Sequence, residues 1–185
     1  MADRGGRLEL AVLTGDQSAE IELLAGDPAA AAEFATEGCR QLESLGEHYF
    51  RPPLVGRLAQ ILCILDRLDD VDEQVEHARR LGASDDVEVQ YRWRQAKALA
   101  LAHRGCHPAA EELARAAIAI TETTDNLNDQ ALAYADLAHV LALGGRFDGV
   151  TAALREALDR YDRKGNLVMS RRIRERLTLT PSADR

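Results

Sequence analysis

Aromatic side chains are scarce in this chain. They make up 4% of its 185 residues, with a single Trp, although 46% of the residues are apolar. Ala and Leu carry the apolar content, so the core must be built from close helix contacts rather than from large rings, and both residues favour helix. Runs of β-branched residues are also few, which leaves strands little support. No apolar run is long enough to cross a bilayer, and Met1-Ala2-Asp3-Arg4-Gly5 has no apolar signal core. The three cysteines, Cys39, Cys63 and Cys106, are too few and too scattered for a disulfide framework. Reduced thiols and a cytoplasmic location are the expectation. Basic residues are outnumbered, 23 Lys and Arg against 31 Asp and Glu, for a net charge of −8. That balance argues against nucleic acid as a partner, because phosphate neutralisation needs clustered cations.

What the chain does have is a repeat. Gly26-Asp27-Pro28, Asp66-Arg67-Leu68, Gly105-Cys106-His107 and Gly145-Arg146-Phe147 recur at intervals of 40, 39 and 40 residues, each between two stretches of helical periodicity. Small or β-branched residues follow at fixed offsets: Ala31 and Gly38, Val71 and Ala78, Ala110 and Ala117, Val150 and Ala157. A fixed period in this range marks stacked helical hairpins that bury their cores against neighbours. The spacing therefore predicts an all-α, right-handed solenoid of about four hairpins in one domain over residues 1–185. The repeats fall at about 16–47, 51–84, 85–124 and 126–164, followed by a capping helix over 166–177, with frayed ends at 1–6 and 178–185.

Repeat four shows Tyr134, Leu137, Ala138 and Leu141 at helical spacing, a break at Gly145, Phe147 as a plug in the turn, then Val150, Leu154 and Ala157. Repeat two matches it through Val55, Leu58, Ala59 and Leu62, then Leu68, Val71, Val75 and Ala78. This pattern resembles the tetratricopeptide repeat. Repeats one and three depart from it: Arg94 and Lys97 fall on expected apolar sites, and the first helix of repeat one spans only about residues 17–25 after Asp16 as N-cap. The strings LAGDPAAAAE (24–33), DLAHVLALGGRFD (136–148) and YDRKGNLV (161–168) look like the C-terminal repeat segment of large bacterial signalling ATPases. There, such repeats follow a cyclase-like or transcription-regulator module and a P-loop ATPase. The resemblance implies a regulatory or docking segment and no catalytic residue. The chain itself contains no G-x-x-x-x-G-K-[ST] phosphate cradle.

Several clusters invite a chemical reading. His103, Cys106 and His107 are metal-ligand types, but they straddle a helix end with no fourth ligand nearby, so no metal is expected. The acidic run Asp66, Asp69, Asp70, Asp72, Glu73 and Glu76 lacks the spacing of a calcium loop and suits a helix start, with Asp69 or Asp70 as cap. Arg163, Lys164, Arg171, Arg172, Arg174 and Arg176 make a basic tail. Glu175 interrupts it and no aromatic accompanies it, so a helix cap is expected rather than a nucleic-acid or membrane contact. No G-x-S-x-G and no Cys with an evident base point to nucleophilic catalysis, so the chain is read as non-enzymatic and cofactor-free.

The most distinctive stretch is Tyr91-Arg92-Trp93-Arg94-Gln95, with Lys97 following. In this repeat class the first helices line the concave face, where Arg57, Gln60, Arg92, Arg94 and Lys97 would anchor a peptide or helix, an acidic one by charge. The plain alternative makes Trp93 core and pairs the arginines with the acidic repeat two. The expected function is thus a protein-binding scaffold. The competing function is a ligand-sensing regulatory domain that closes its groove over a small molecule. At the N-terminal end Leu8, Leu10, Val12, Leu13, Ile21, Leu23 and Leu24 leave an apolar surface. Either residues 7–14 fold back as extra helix, giving a self-capped monomer, or two chains pair there as a weak homodimer, the favoured outcome.

Overall fold

The structure, a computed structural model, describes residues 4–180. Every regular element among them is helical: α1 (Arg4–Val12), a π-helical turn (Leu13–Gln17), α2 (Ser18–Ala25), α3 (Pro28–Ser44), α4 (Arg51–Ile64), α5 (Leu68–Leu81), α6 (Val87–His103), α7 (His107–Thr121), α8 (Leu127–Leu143), α9 (Phe147–Lys164) and α10 (Leu167–Leu179). The backbone gathers into two compact units, Met1–Ala96 and Lys97–Arg185, with α6 running from one into the other. Helices pack on their neighbours in sequence: α2 on α3, α3 on α4 and α4 on α5 in the first unit, α7 on α8, α8 on α9 and α9 on α10 in the second.

The four turns at intervals of 40, 39 and 40 residues share one geometry. In each, a residue with positive φ follows the helix: Gly26 (92°), Asp66 (58°), Gly105 (79°) and Gly145 (71°). In each, the next amide reaches five residues back, Asp27 to Glu22, Arg67 to Leu62, Cys106 to Leu101 and Arg146 to Leu141, at 2.9–3.0 Å. This pair of features is the Schellman stop, which satisfies carbonyls that the helix end leaves unpaired. A new helix begins one residue later, at Pro28, Leu68, His107 and Phe147. The eight small or β-branched residues at fixed offsets, Ala31 and Gly38 through Val150 and Ala157, are all buried. Larger side chains fill what remains. Ile61 in the first unit and Leu154 in the second are almost inaccessible, each contributing about 1.5–3 kcal/mol by burial.

Starts are set by polar caps. Asp27 accepts from the Ala30 amide at 2.9 Å, Asp86 from Val89, Asn126 from Asn128 and Asp129, and Asn166 from Met169. At α5, however, the expected acidic cap is absent: Arg67 holds the N-cap position without a side-chain cap bond, and Asp69 and Asp70 lie inside the first turn. Asp70 instead pairs with Arg67 at 2.6 Å. Phe147 does not plug its turn, since 47% of it is exposed at the first position of α9.

The N-terminal helix differs most from expectation. Asp16 is not an N-cap. The backbone stays helical from Arg4 to Ala25, passing through the π turn without a break at Val12, Gln17 or Ser18. The π turn sets Gly15 against Gly38 of α3, backbone to backbone: a Cβ built on Gly38 would overlap the Gly15 Cα. Two facing glycines permit this approach, because neither carries the side-chain carbon that would hold the backbones apart. The first helix is therefore more than twice its expected length, and residues 4–6 belong to it. At the other end α10 runs on to Leu179, so residues 178 and 179 are helical, while residues 1–3 and 181–185 lie outside the described part.

Candidate functional site: the polar faces of α4 and α6

The five residues expected to anchor a partner lie on two helices, Arg57 and Gln60 on α4 and Arg92, Arg94 and Lys97 on α6. Gly56 lets α6 come close, because a Cβ there would stand 2.8 Å from the Arg92 Cβ. Arg92 is consequently buried, 2% exposed, and its guanidinium is consumed locally. Its Nε and Nη2 donate to Glu88 Oε1 at 2.8 and 2.5 Å, and its Nη1 donates to Gln60 Oε1 at 3.3 Å. Gln60 in turn donates to Gln95 Oε1 at 2.9 Å, both amides being buried. Buried polar groups need such partners, and a satisfied network fixes one register between two helices. Arg57 turns the other way, its Nε 2.6 Å from Asp16 Oδ1 and its Nη2 3.8 Å from Glu20 Oε2. Three of the five anchors thus hold the first unit together.

Arg94 and Lys97, one turn apart on α6, are the half-buried members of the set. Arg94 Nη1 donates to the Gln90 carbonyl at 2.7 Å and to Gln90 Oε1 at 2.8 Å, and its Cζ lies over the Trp93 ring, 4.2 Å from the centroid. A second guanidinium, that of Arg79 on α5, lies over the same ring at 4.9 Å. Burial first, and then the Arg79 charge, lower the Arg94 pKa from its ordinary value. Trp93 is half-buried, not core, and Arg79 is a residue that sequence spacing alone did not single out. The signal available was its place on the last turn of an acidic helix, which says nothing of the ring beside it.

A second cluster in the first unit was also not legible. Arg51 at the start of α4 is buried, with Nη2 2.7 Å from Glu43 Oε1 and 3.4 Å from His77 Nε2. Cys39 sits near it, and burial pushes its thiol up to about 12 despite the arginine. Cys39 is half-buried, whereas Cys63 is buried and donates to the Ala96 carbonyl at 3.3 Å.

In the second unit His103, Cys106 and His107 do not converge. The His103 ring packs on His139 of α8 at 5.4 Å, Cys106 is exposed, and the His107 ring lies against Gly144. No group of three His, Cys, Asp or Glu side chains able to hold a metal occurs among the described residues. His107 also borders an open cleft of about 440 Å³ lined with Pro108, Glu111, Glu112, Arg115 and Arg146. Both its arginines are paired with one carboxylate, Glu111 taking Arg115 at 2.8 Å and Arg146 at 2.5 Å. Arg160 of α9 is engaged more fully, bonded to Glu122, Glu156 and Gln130 and lying 4.2 Å over Tyr134. Burial and the Glu122 hydrogen bond push the Tyr134 hydroxyl up to about 12. Of the basic tail, Arg163, Arg171 and Arg174 pair with Asp159, Glu175 and Asp162, and Arg176 donates to the Ala135 carbonyl. No helix among the described residues is long and apolar enough to cross a membrane. No family model matches the chain, and no curated protein matches it significantly.

Proposed function

We propose that this chain is a non-enzymatic interaction scaffold built of stacked, tetratricopeptide-like hairpins that recognises a peptide or helix on the face lined by its first helices. The observation that carries this reading is the recurrence of one turn geometry, one helix restart and one pair of buried small positions at intervals of 40, 39 and 40 residues. Such repetition builds extended surfaces, which serve binding rather than enclosed chemistry. The ligand-sensing alternative finds less support, because the cleft beside His107 is open and both its arginines are already paired with Glu111. Selection of random peptides displayed on phage against the full chain tests the scaffold reading. Enrichment of related sequences that bind saturably as free peptides supports it. Failure to enrich any sequence, alongside thermal stabilisation by a small molecule, overturns it in favour of sensing.

A weak homodimer through the N-terminal helix is proposed as a second interaction. Leu10, Leu13 and Ile21 lie on that helix with 60%, 40% and 62% of their surface exposed, and Phe34 of α3 is 36% exposed. Exposed apolar side chains gathered on one helix and its neighbour support this reading.

A further inference from the structure

We propose that the stack of Arg79, Trp93 and Arg94 is a docking site for acidic side chains of a peptide partner, in which Arg94 grips a carboxylate and Trp93 supports its aliphatic stem. This deepens the scaffold reading and rests on it. The proposal begins from an unneutralised charge. In a chain with 31 acidic residues against 23 basic ones, five exposed arginines, Arg40, Arg67, Arg79, Arg115 and Arg163, each have a carboxylate within 3.1 Å. Arg94 has none among the described residues, although it is half-buried and so less well hydrated than they are. Its position is nevertheless fixed, by two bonds from Nη1 to Gln90 and by the ring beneath it.

That arrangement uses one of three guanidinium nitrogens. The Nε–Nη2 edge remains, and it is the edge that forms two parallel bonds to a carboxylate. Placing Arg79 and Arg94 over one indole brings two like charges together; Glu76 pairs with Arg79 alone, so an anion at Arg94 meets a favourable local field. The site is preorganised, so little side-chain entropy is lost on binding. A side-chain carboxylate fits better than a nucleic-acid phosphate because it brings an aliphatic stem that can lie on the Trp93 ring.

Trp93 is the only Trp in the chain, so its fluorescence reports this site alone. The full chain is titrated with octaglutamate blocked at both termini, with blocked octaglutamine as control. The expected result is a saturable change with octaglutamate, none with octaglutamine, and loss of the change as salt is raised. Arg94→Gln is expected to weaken binding about tenfold or more. Arg79→Gln weakens it less, because Arg79 is shared with Glu76. Arg94→Lys keeps the charge without the fork and falls between, which also covers an Arg94→Gln protein that melts early. Equal responses to the two peptides, no saturable response, or unchanged binding by both Arg94 variants overturns the site. A blocked phosphoserine peptide binding about tenfold tighter than octaglutamate reassigns it to phosphate and overturns the carboxylate. The scaffold reading fails separately: display-selected peptides without acidic residues sustain it while this site falls.

Discussion

Between Gly15 in the π turn and Gly38 in α3 there is no room for a side-chain carbon, and the atoms in the way are backbone. Gly38→Ala is therefore expected to cost about 1–3 kcal/mol, read as a lower urea midpoint. Gly46 provides the contrast. A Cβ there meets nothing within 4 Å, but φ is +65°, so Gly46→Ala should cost only the left-handed penalty of about 1 kcal/mol. Two histidines give a pH dependence. Burial, then Arg51 and Arg80, lower the His77 pKa from 6.5, with Glu43 and Glu73 opposing. Burial, then Arg176 and His103, lower that of His139. Well above pH 6.5 both are neutral whether the chain is folded or not. As pH falls through that value the unfolded chain takes up protons first, so stability is lost across the window down to the folded pKa values. The urea midpoint should fall between about pH 7.5 and about pH 5.5, and the double variant His77→Gln with His139→Gln should fall less.

At the scale of elements, the hairpin turn is the recurring unit. Three of its four left-handed positions are Gly and the second is Asp66, at φ 58°. Gly105→Ala and Gly145→Ala are each expected to destabilise the chain by about 1 kcal/mol, because a Cβ strains the left-handed backbone there. Clearly unequal effects at the two positions would show that the turns are not equivalent in the way their hydrogen bonds indicate. The buried offsets make the complementary test. Ala78 and Ala157 are fully buried, so Ala78→Leu and Ala157→Leu should each cost ~1–3 kcal/mol by overpacking. Thermal denaturation followed by circular dichroism reads both sets.

At the scale of the molecule, the apolar outer face of the N-terminal helix decides between monomer and dimer. Residues 7–14 do not fold back as anticipated: they continue one helix from Arg4 to Ala25, and Leu10, Leu13 and Ile21 on it are exposed. Light scattering at micromolar concentration is expected to show a concentration-dependent dimer that Leu10→Asp with Ile21→Asp abolishes. A strict monomer, unchanged by that pair of substitutions, removes the dimer and leaves a self-capped chain.

The sequence by itself determined the helical class, the turn positions and the small residues between paired helices. These are local matters: a left-handed residue, a helix start and a close contact each leave a mark at a fixed offset. Gly26, Asp66, Gly105 and Gly145 were legible for that reason, as were Ala31 through Ala157. Tertiary structure decided what depends on neighbours remote in sequence. Asp16 looked like a cap because Asp before an apolar run usually is one; pairing with Arg57 and the approach of Gly15 to Gly38 keep it inside a helix. Arg57, Gln60 and Arg92 looked like free anchors because periodicity cannot distinguish a polar residue facing solvent from one facing another polar residue across a helix pair. Arg79 joined Trp93 and Arg94 only because α5 lies beside α6. Composition and period set which elements form, whereas the charge left unpaired at Arg94 depends on where every nearby carboxylate comes to rest.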